Sequence, residues 1–216
     1  MRVLLTAGPT YEPFDPVRFL GNRSTGKMGY ALAEAFAAVG ADVTLVSGPS
    51  HLPDPASAHI STVRVETAAE MYVEAAKVAA AADIWVFAAA VADYRPAYIA
   101  MEKIKKAGET LTLELVKNVD IAATLGQCKR PEQFAVGFAL ETTKELAHAQ
   151  EKLRRKKFDL VVLNSLRDVG AGFGHDTNKV TVLDVAGQIV NFELQSKADV
   201  ARGLVSLILS RLTTHL

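Results

Sequence analysis

The stretch DIWVFAAAVADYRP, residues 83–96, starts at one aspartate, stays apolar as far as Ala92, and ends in a polar turn. An apolar run without alternation, bounded by turn residues, reads as a strand covered on both faces, the central strand of a parallel sheet. TAAEMYVEAAKVAAAA (67–82) precedes it, a helical pattern opened by a Thr67–Glu70 capping box. Outward from this unit the cycle repeats. VLLTAG (3–8), DVTLVSGP (42–49), VRVE (63–66), FAVGFALE (134–141) and DLVVLN (159–164) read as further strands. Between them lie helical patterns at KMGYALAEAFAAVGA (27–41), with Gly40 as its stop, at NVDIAATLGQC (118–128), and at TTKELAHAQEKLRRKK (142–157), capped by Thr142 with Glu145. This alternation predicts an α/β fold, a Rossmann-like three-layer parallel sheet. NKVTVLD (178–184) and QIVNFEL (188–194) flank Ala186 and Gly187, so a C-terminal β-hairpin is expected over about 178–194, followed by a helix opened by Ser196 with Asp199. No repeat or linker divides the chain, and one domain over 1–216 is expected.

Lys plus Arg equals Asp plus Glu at 24 each, so no global field favours nucleic acid or an anionic membrane, and neither partner is expected. Any anion site must come from local placement. Cys128 is the single cysteine, which excludes an intramolecular disulfide, and the five histidines show no zinc-ligand spacing. The N-terminal apolar run is too short for a signal segment and no run of apolar residues is long enough to span a bilayer, so a cytoplasmic protein is expected.

GNRSTGKMG (21–29) has the outline of a P-loop, G-x-x-x-x-G-K, with Lys27 in the place of the phosphate-binding lysine. Three features reject that reading. The glycine stretch stands a dozen residues beyond its strand, Met28 replaces the Mg²⁺-binding hydroxyl, and the only partner aspartate in LDVAG (183–187) falls in the hairpin. Ser24, Thr25 and Gly26 still stand at the start of a helix, where free N–H groups and the helix dipole favour an anion. Lys27 in the first turn is unfavourable unless a negative group offsets it, and Asn22 adds an amide. An ordinary Ser/Thr cap is the simpler alternative. A dinucleotide site would need G-x-G-x-x-G after the first strand, and AGPTYE offers Gly8 alone.

Asp93 follows the central strand, at the carboxyl end where open α/β sheets place ligands. AMEKIKKAGETLTLELVKN (100–118) then carries an alternating TLTLEL, which reads as a β-ribbon inserted between two βαβ units, a flap over about 97–117. Lys103, Lys105 and Lys106 ride on it and Lys117 ends it. Lys152 and Lys156, four apart, share a helix face. Several lysines suit a polyphosphate better than nucleic acid, since no aromatic residues interleave the basic turn.

Taken in order, TAGPTYEPFDPVRFLGNRSTGKMG, LVSGP, AAAVADYRP, EKIKK, VKNVDI, VGFALET, DLVVLN and FGHDTNKV resemble phosphopantothenate–cysteine ligase, a synthetase of coenzyme A biosynthesis, over nearly the whole chain. The resemblance implies that 4′-phosphopantothenate and L-cysteine are joined through an acyl-nucleotide, with Mg²⁺ and, in the bacterial type, CTP as co-substrate. It assigns Asn22 and Lys103 to the reaction itself, Asn22 holding the acyl end and Lys103 closing over the site from the flap. Phe87, Ala88, Ala89, Asp93, Val119, Asp120, Ile121, Ala122 and Phe138 would line the nucleotide pocket, and Lys103, Lys152 and Lys156 would hold the phosphates. Ser24, Thr25, Gly26 and Lys27, with Asn22, would form the substrate-side anion site.

Two features depart from the family pattern. The first strand follows Met1 at once, so no decarboxylase half and no FMN are expected. Val119 replaces the proline of VKNPDI, which would have pre-set φ at a helix start. A homodimer is expected, with the hairpin 178–194 as the contact. Two rivals stay open at this level: a Rossmann-type NAD(P)-dependent reductase and a non-catalytic nucleotide-binding module.

Overall fold

The computed structural model describes residues 1–105, 108–141, 145–165 and 170–215. In chain order β1 (Arg2–Ala7) leads through a short antiparallel ribbon, β2 (Tyr11–Pro13) and β3 (Phe19–Gly21), to α1 (Lys27–Ala38). Then come β4 (Asp42–Ser47), β5 (Ile60–Arg64), α2 (Ala68–Ala79) and β6 (Ile84–Phe87). A second ribbon, β7 (Tyr94–Pro96) with β8 (Leu115–Lys117), leads into α3 (Ile121–Gly126), β9 (Phe134–Glu141), α4 (Glu145–Lys156) and β10 (Leu160–Ser165). The chain closes with β11 (Thr177–Asp184), β12 (Ile189–Ser196) and α5 (Lys197–His215).

The main sheet has eight strands in the order β12-β11-β10-β9-β6-β1-β4-β5. From β5 to β10 every neighbour is parallel, and the hairpin β11–β12 adds two antiparallel strands at one edge. The α/β three-layer expectation holds as a mixed, mostly parallel sheet. Alternation along the strands divides two cores. Val3 and Leu5 of β1 pack with Tyr30, Leu32 and Phe36 of α1 and with Val200, Leu204 and Ile208 of α5. Leu4, Trp85 and Phe87 pack on the other face with Met71 of α2, Ile121 of α3 and Leu153 of α4. Trp85 is 1% exposed and its indole N–H donates to Ala79 O at 3.0 Å, so its burial, about 3 kcal/mol, leaves no polar group unpaired.

Several sequence expectations shift. The flap is tied at its base by β7 and β8, and of TLTLEL only Leu115 belongs to a strand; the alternation without a partner strand beside it does not make a ribbon. The expected strand at 63–66 lies earlier, at Ile60–Arg64, where its backbone can pair with β4. The Thr67–Glu70 box and the Ser196–Asp199 start are formed as expected. The Thr142 cap and Lys106 lie outside the described residues. No described helix is long and apolar enough to cross a membrane.

Helix α1 lies against β1 because Gly29 lets it. A Cβ on Gly29 would stand 2.5 Å from the Ala7 Cβ, far inside contact. Helix propensity alone would favour Gly29→Ala by about 1 kcal/mol, but overpacking at this contact costs about 1–3 kcal/mol. We expect Gly29→Ala to lower the thermal midpoint by several degrees, at about 2–4 °C per kcal/mol for a domain of this size; a raised midpoint in calorimetry would show that the helix stands off the sheet.

Candidate active site

Strand β1 sends its connection toward β4, whereas β6 continues to β9 on the other side, so the strand order reverses between β1 and β6. Open α/β sheets form a crevice at the carboxyl ends of such strands. Here a cavity of about 390 Å³ occupies that position. Its floor is Thr6 and Phe87 near the ends of β1 and β6 and Phe138 within β9; one wall is the 89–93 turn with Asn22, and the other is Asn118 to Ala122 with Lys152 and Lys156 of α4. The nucleotide-side residues assigned from the sequence, with Asn22, therefore line one cavity from five separate segments. Ala88 and Lys103 are the exceptions among the nucleotide-side residues. Ala88 packs into the core behind the turn, and Lys103 stands exposed on the arm that begins at the cavity wall.

The wall is built by hydrogen bonds that the polar residues make to one another. Asn22 Nδ2 donates to Ala90 O at 2.9 Å and to Val91 O at 3.2 Å, so its amide hydrogens pin the turn after β6. Thr10 Oγ1 accepts from Ala92 N at 2.9 Å, and Asn118 donates through Nδ2 to Ala92 O at 2.9 Å. Asp120 caps α3 by accepting from Ala123 N at 3.1 Å and pairs with Lys156 at 2.9 Å. Val119 in place of proline leaves this cap formed. Burial pushes the Asp120 carboxyl up, but Lys156, Ala123 N and Arg155 together hold it below the ordinary carboxylate range. Lys156 thus serves the protein before it serves any ligand.

A second, small cavity of about 40 Å³ opens at the start of α1, lined by Ser24, Thr25, Gly26 and Lys27. It shares Leu140, Asn164 and Phe173 with the first. The helix start is not a Ser/Thr cap. Gly26 is the N-cap in the left-handed region, φ 82°, with no side-chain cap, and Ser24 Oγ merely accepts from Gly26 N at 3.3 Å. That backbone conformation, rather than lack of space, is what makes the position suit glycine. Lys27 has its negative group within the protein, Asp176 at 2.6 Å, whose carboxyl it holds below the ordinary range.

Sequence reasoning missed three residues here. Lys197 is 7% exposed, donates to Gly172 O at 3.0 Å and to His175 O, and is pushed down from the ordinary lysine range by burial and by the Lys27 charge. Phe173 stands between the two cavities, and the buried Asn164 Oδ1 has no hydrogen-bond partner among the described residues. FGHDTNKV and DLVVLN contain the last two, but nothing local in those stretches says which side chain faces the cleft. A buried acceptor without a donor is costly by about 1–3 kcal/mol, a cost that a ligand N–H or O–H at this junction would remove.

The Asp120–Lys156 pair yields a titration test. The folded carboxyl lies below the unfolded value of about 3.9. Its contribution to stability is therefore present above about pH 4 and lost as pH falls through the lower folded value. In Lys156→Met burial is less opposed, and we expect the Asp120 carboxyl to titrate at higher pH in a ¹³C carboxyl NMR titration; an unmoved titration would mean that Lys156 does not hold it.

Over residues 1–212 the chain matches the family described as DNA/pantothenate metabolism flavoprotein C-terminal domain. A cysteine/cysteine sulfinic acid decarboxylase of an unknown prokaryotic organism is 48% identical over 209 residues, 97% of this chain and 58% of that protein. The coenzyme A biosynthesis bifunctional protein CoaBC of Vibrio cholerae serotype O1 is 45% identical over 209 residues, 96% of this chain and 52% of that protein. The CoaBC of Bacillus subtilis strain 168 is 46% identical over 199 residues, 92% of this chain and 48% of that protein. The chain spans about half the length of the curated relatives it matches. The crystal structure of the C-terminal domain of CoaBC superposes with a TM-score of 0.83 at 40% identity, covering 99% of this chain and 96% of that one. A Cab2 mutant structure in complex with phosphopantothenate-cysteine, at 19% identity and a TM-score of 0.77, shares the fold. The chain belongs to the DNA/pantothenate metabolism flavoprotein C-terminal domain family, the family of the ligase domain that its motifs resemble.

Proposed function

We propose that the chain is a phosphopantothenate–cysteine ligase that activates the carboxylate of 4′-phosphopantothenate with CTP. The observation that carries the reading is the single cavity at the β1/β6 reversal that gathers Asn22, Asp93, the start of α3 and the two α4 lysines. In the first step a carboxylate oxygen attacks the α-phosphorus and pyrophosphate leaves. In the second, the cysteine amine attacks the acyl carbon, the acyl C–O bond breaks, and CMP leaves with that oxygen.

Both steps bring anions together, so cations and fixed dipoles must offset the repulsion. Lys152 and Lys156 line the side where the nucleotide would lie, and Lys103 would reach it from the arm. The pocket of Phe87, Ala89, Val119, Ile121, Ala122 and Phe138 is apolar enough to take a base or ribose face. On the substrate side, the uncapped first turn of α1 with Lys27 and Lys197 suits an anion, which would share Lys27 with Asp176 or displace Asp176 from it. Asn22 would orient the acyl end beside the 90–91 carbonyls it already fixes.

Mg²⁺ enters this reading with the triphosphate. Among the described residues no group of three His, Cys, Asp or Glu side chains could cage a metal, which suits an ion held mainly by phosphate oxygens. Of the two carboxylates lining the cavity Asp120 is engaged by Lys156, so Asp93 is the one that would touch the ion or its water. The ion would supply charge neutralisation at the phosphates.

A homodimer belongs to the same proposal, with the contact moved from the hairpin. The hairpin extends the main sheet, whereas Tyr98, Ile99 and Met101 on the arm and Val17 and Phe19 on the β2–β3 ribbon leave large apolar side chains exposed, Met101 at 92%. Light scattering at micromolar concentration tests it, and a monomer contradicts it.

We expect pyrophosphate release that requires Mg²⁺, 4′-phosphopantothenate and a nucleoside triphosphate, with CTP preferred over ATP. Asn22→Ala and Lys103→Ala should each lower turnover by about tenfold or more, the scale of a misplaced reacting group. Release independent of phosphopantothenate, or near-normal rates in both variants, would overturn the reading.

A further inference from the structure

The β2–β3 ribbon that delivers Asn22 and the arm that carries Lys103 are joined at one buried carboxylate, and we infer that Asp15 is a positioning residue that fixes the Lys103 arm relative to the Asn22 ribbon. The inference rests on the ligase reading above, in which those two residues serve the reaction.

Asp15 lies in the turn between β2 and β3, and its side chain is wholly buried. Its Oδ1 accepts from Val17 N at 2.9 Å and Arg18 N at 2.8 Å, which closes the turn. Its Oδ2 accepts from Arg18 Nε at 3.0 Å and Nη2 at 2.5 Å, and from Ile104 N at 3.1 Å. Arg18 then completes the tie by donating from Nη2 to Ile104 O at 3.0 Å. Both backbone groups of Ile104 are therefore claimed by the Asp15–Arg18 pair, one residue after Lys103. At the other end, β3 stops at Gly21, one residue before Asn22. Nearby, Ala100 N donates to Phe14 O at 3.0 Å, so the arm meets the same turn twice.

The arm needs such a tie. Between β7 and β8 it has no strand or helix of its own among the described residues, and within one subunit Tyr98, Ile99 and Met101, the side chains proposed above for the dimer contact, are exposed. A segment with so few buried contacts takes its position from its anchors. A buried carboxylate with its full set of donors is a stiff anchor, because each donor would lose a charge-assisted bond if the arm swung away. The Arg18 guanidinium, with Val17 N, Ile104 N and Arg18 N, holds the Asp15 carboxyl well below the usual carboxylate range against the effect of burial, so the tie persists through neutral pH.

Asp15→Asn keeps the shape but replaces an accepting oxygen with an N–H donor, so the donors of Arg18 and Ile104 are no longer all met. Two measurements on the full chain test the inference. Amide hydrogen exchange in Asp15→Asn should speed up at Ile104 by about tenfold or more while the β6 amides keep their wild-type protection; unchanged exchange at Ile104 overturns the tie. In steady-state turnover, Asp15→Asn should lower kcat by about tenfold in the wild-type background and by less than about twofold on top of Lys103→Ala, because a residue acting through another is masked when that other is gone. Losses that multiply would overturn the positioning role. Should Asp15→Asn not fold, Asp15→Glu, which keeps the charge and moves it by one methylene, must show the same masking and the same local exchange. A wild-type chain that releases no pyrophosphate defeats the ligase reading, whereas the Ile104 exchange reports on the tie regardless of activity.

Discussion

The structure depends on the parallel pairing of β1 with β4 on one side and β6 on the other. Parallel strands need a crossover, and crossovers to the left and right of β1 leave a gap above its carboxyl end that neither helix layer fills. Asp93 reaches the cleft on the connection after β6, Asn22 and the 118–120 stretch reach it from the ends of the two ribbons, and Lys152 and Lys156 reach it from the last turns of α4. The hairpin β11–β12 and α5 complete the sheet and its cover, and through Lys197 they brace the 172–175 loop that carries Phe173 to the cleft.

Charge within the cleft is balanced by the protein itself. Lys27 faces Asp176, and Lys156 faces Asp120. Such pairs cost little to keep in a half-exposed cleft and keep the cations in position for a polyanion, whose arrival would change partners rather than create charge in isolation. The neutral whole-chain composition and a cleft with several lysines are thus compatible: the positive charge is local, and it is offset locally until a ligand binds.

The strand and helix alternation was legible because the buried strands are apolar runs and two of the helices carry clear start signals, at Thr67 and Ser196. The flap was legible as an insertion, but its strands were misplaced, because TLTLEL alternates and nothing in it records that no strand lies beside it. Phe87 and Asp93 could be found from their positions at and beyond the carboxyl end of β6, whereas Phe138, within β9, is reached only through the family resemblance. Asn164, Phe173 and Lys197 could not, since their access to the cleft is decided by packing between segments far apart in sequence. The engagement of Lys27 with Asp176 was equally hidden: the first-turn lysine announced that a negative group was needed, and only the three-dimensional fold says that a loop aspartate supplies it. The Asp15 tie combines four local bonds, from Val17 N, Arg18 N and the Arg18 guanidinium, which the turn sequence permits, with one from Ile104 N that no local pattern encodes.

On the proposed ligase reading this cleft joins a carboxylate to a nucleotide and then transfers the acyl group, and the path of one oxygen atom records both steps. With 4′-phosphopantothenate labelled with ¹⁸O in its carboxylate, the full reaction with CTP, Mg²⁺ and cysteine should deliver one labelled oxygen into CMP, read by mass spectrometry, and none into pyrophosphate. Label absent from CMP, or found in inorganic phosphate, would contradict an acyl-cytidylate and the account of the cleft built on it.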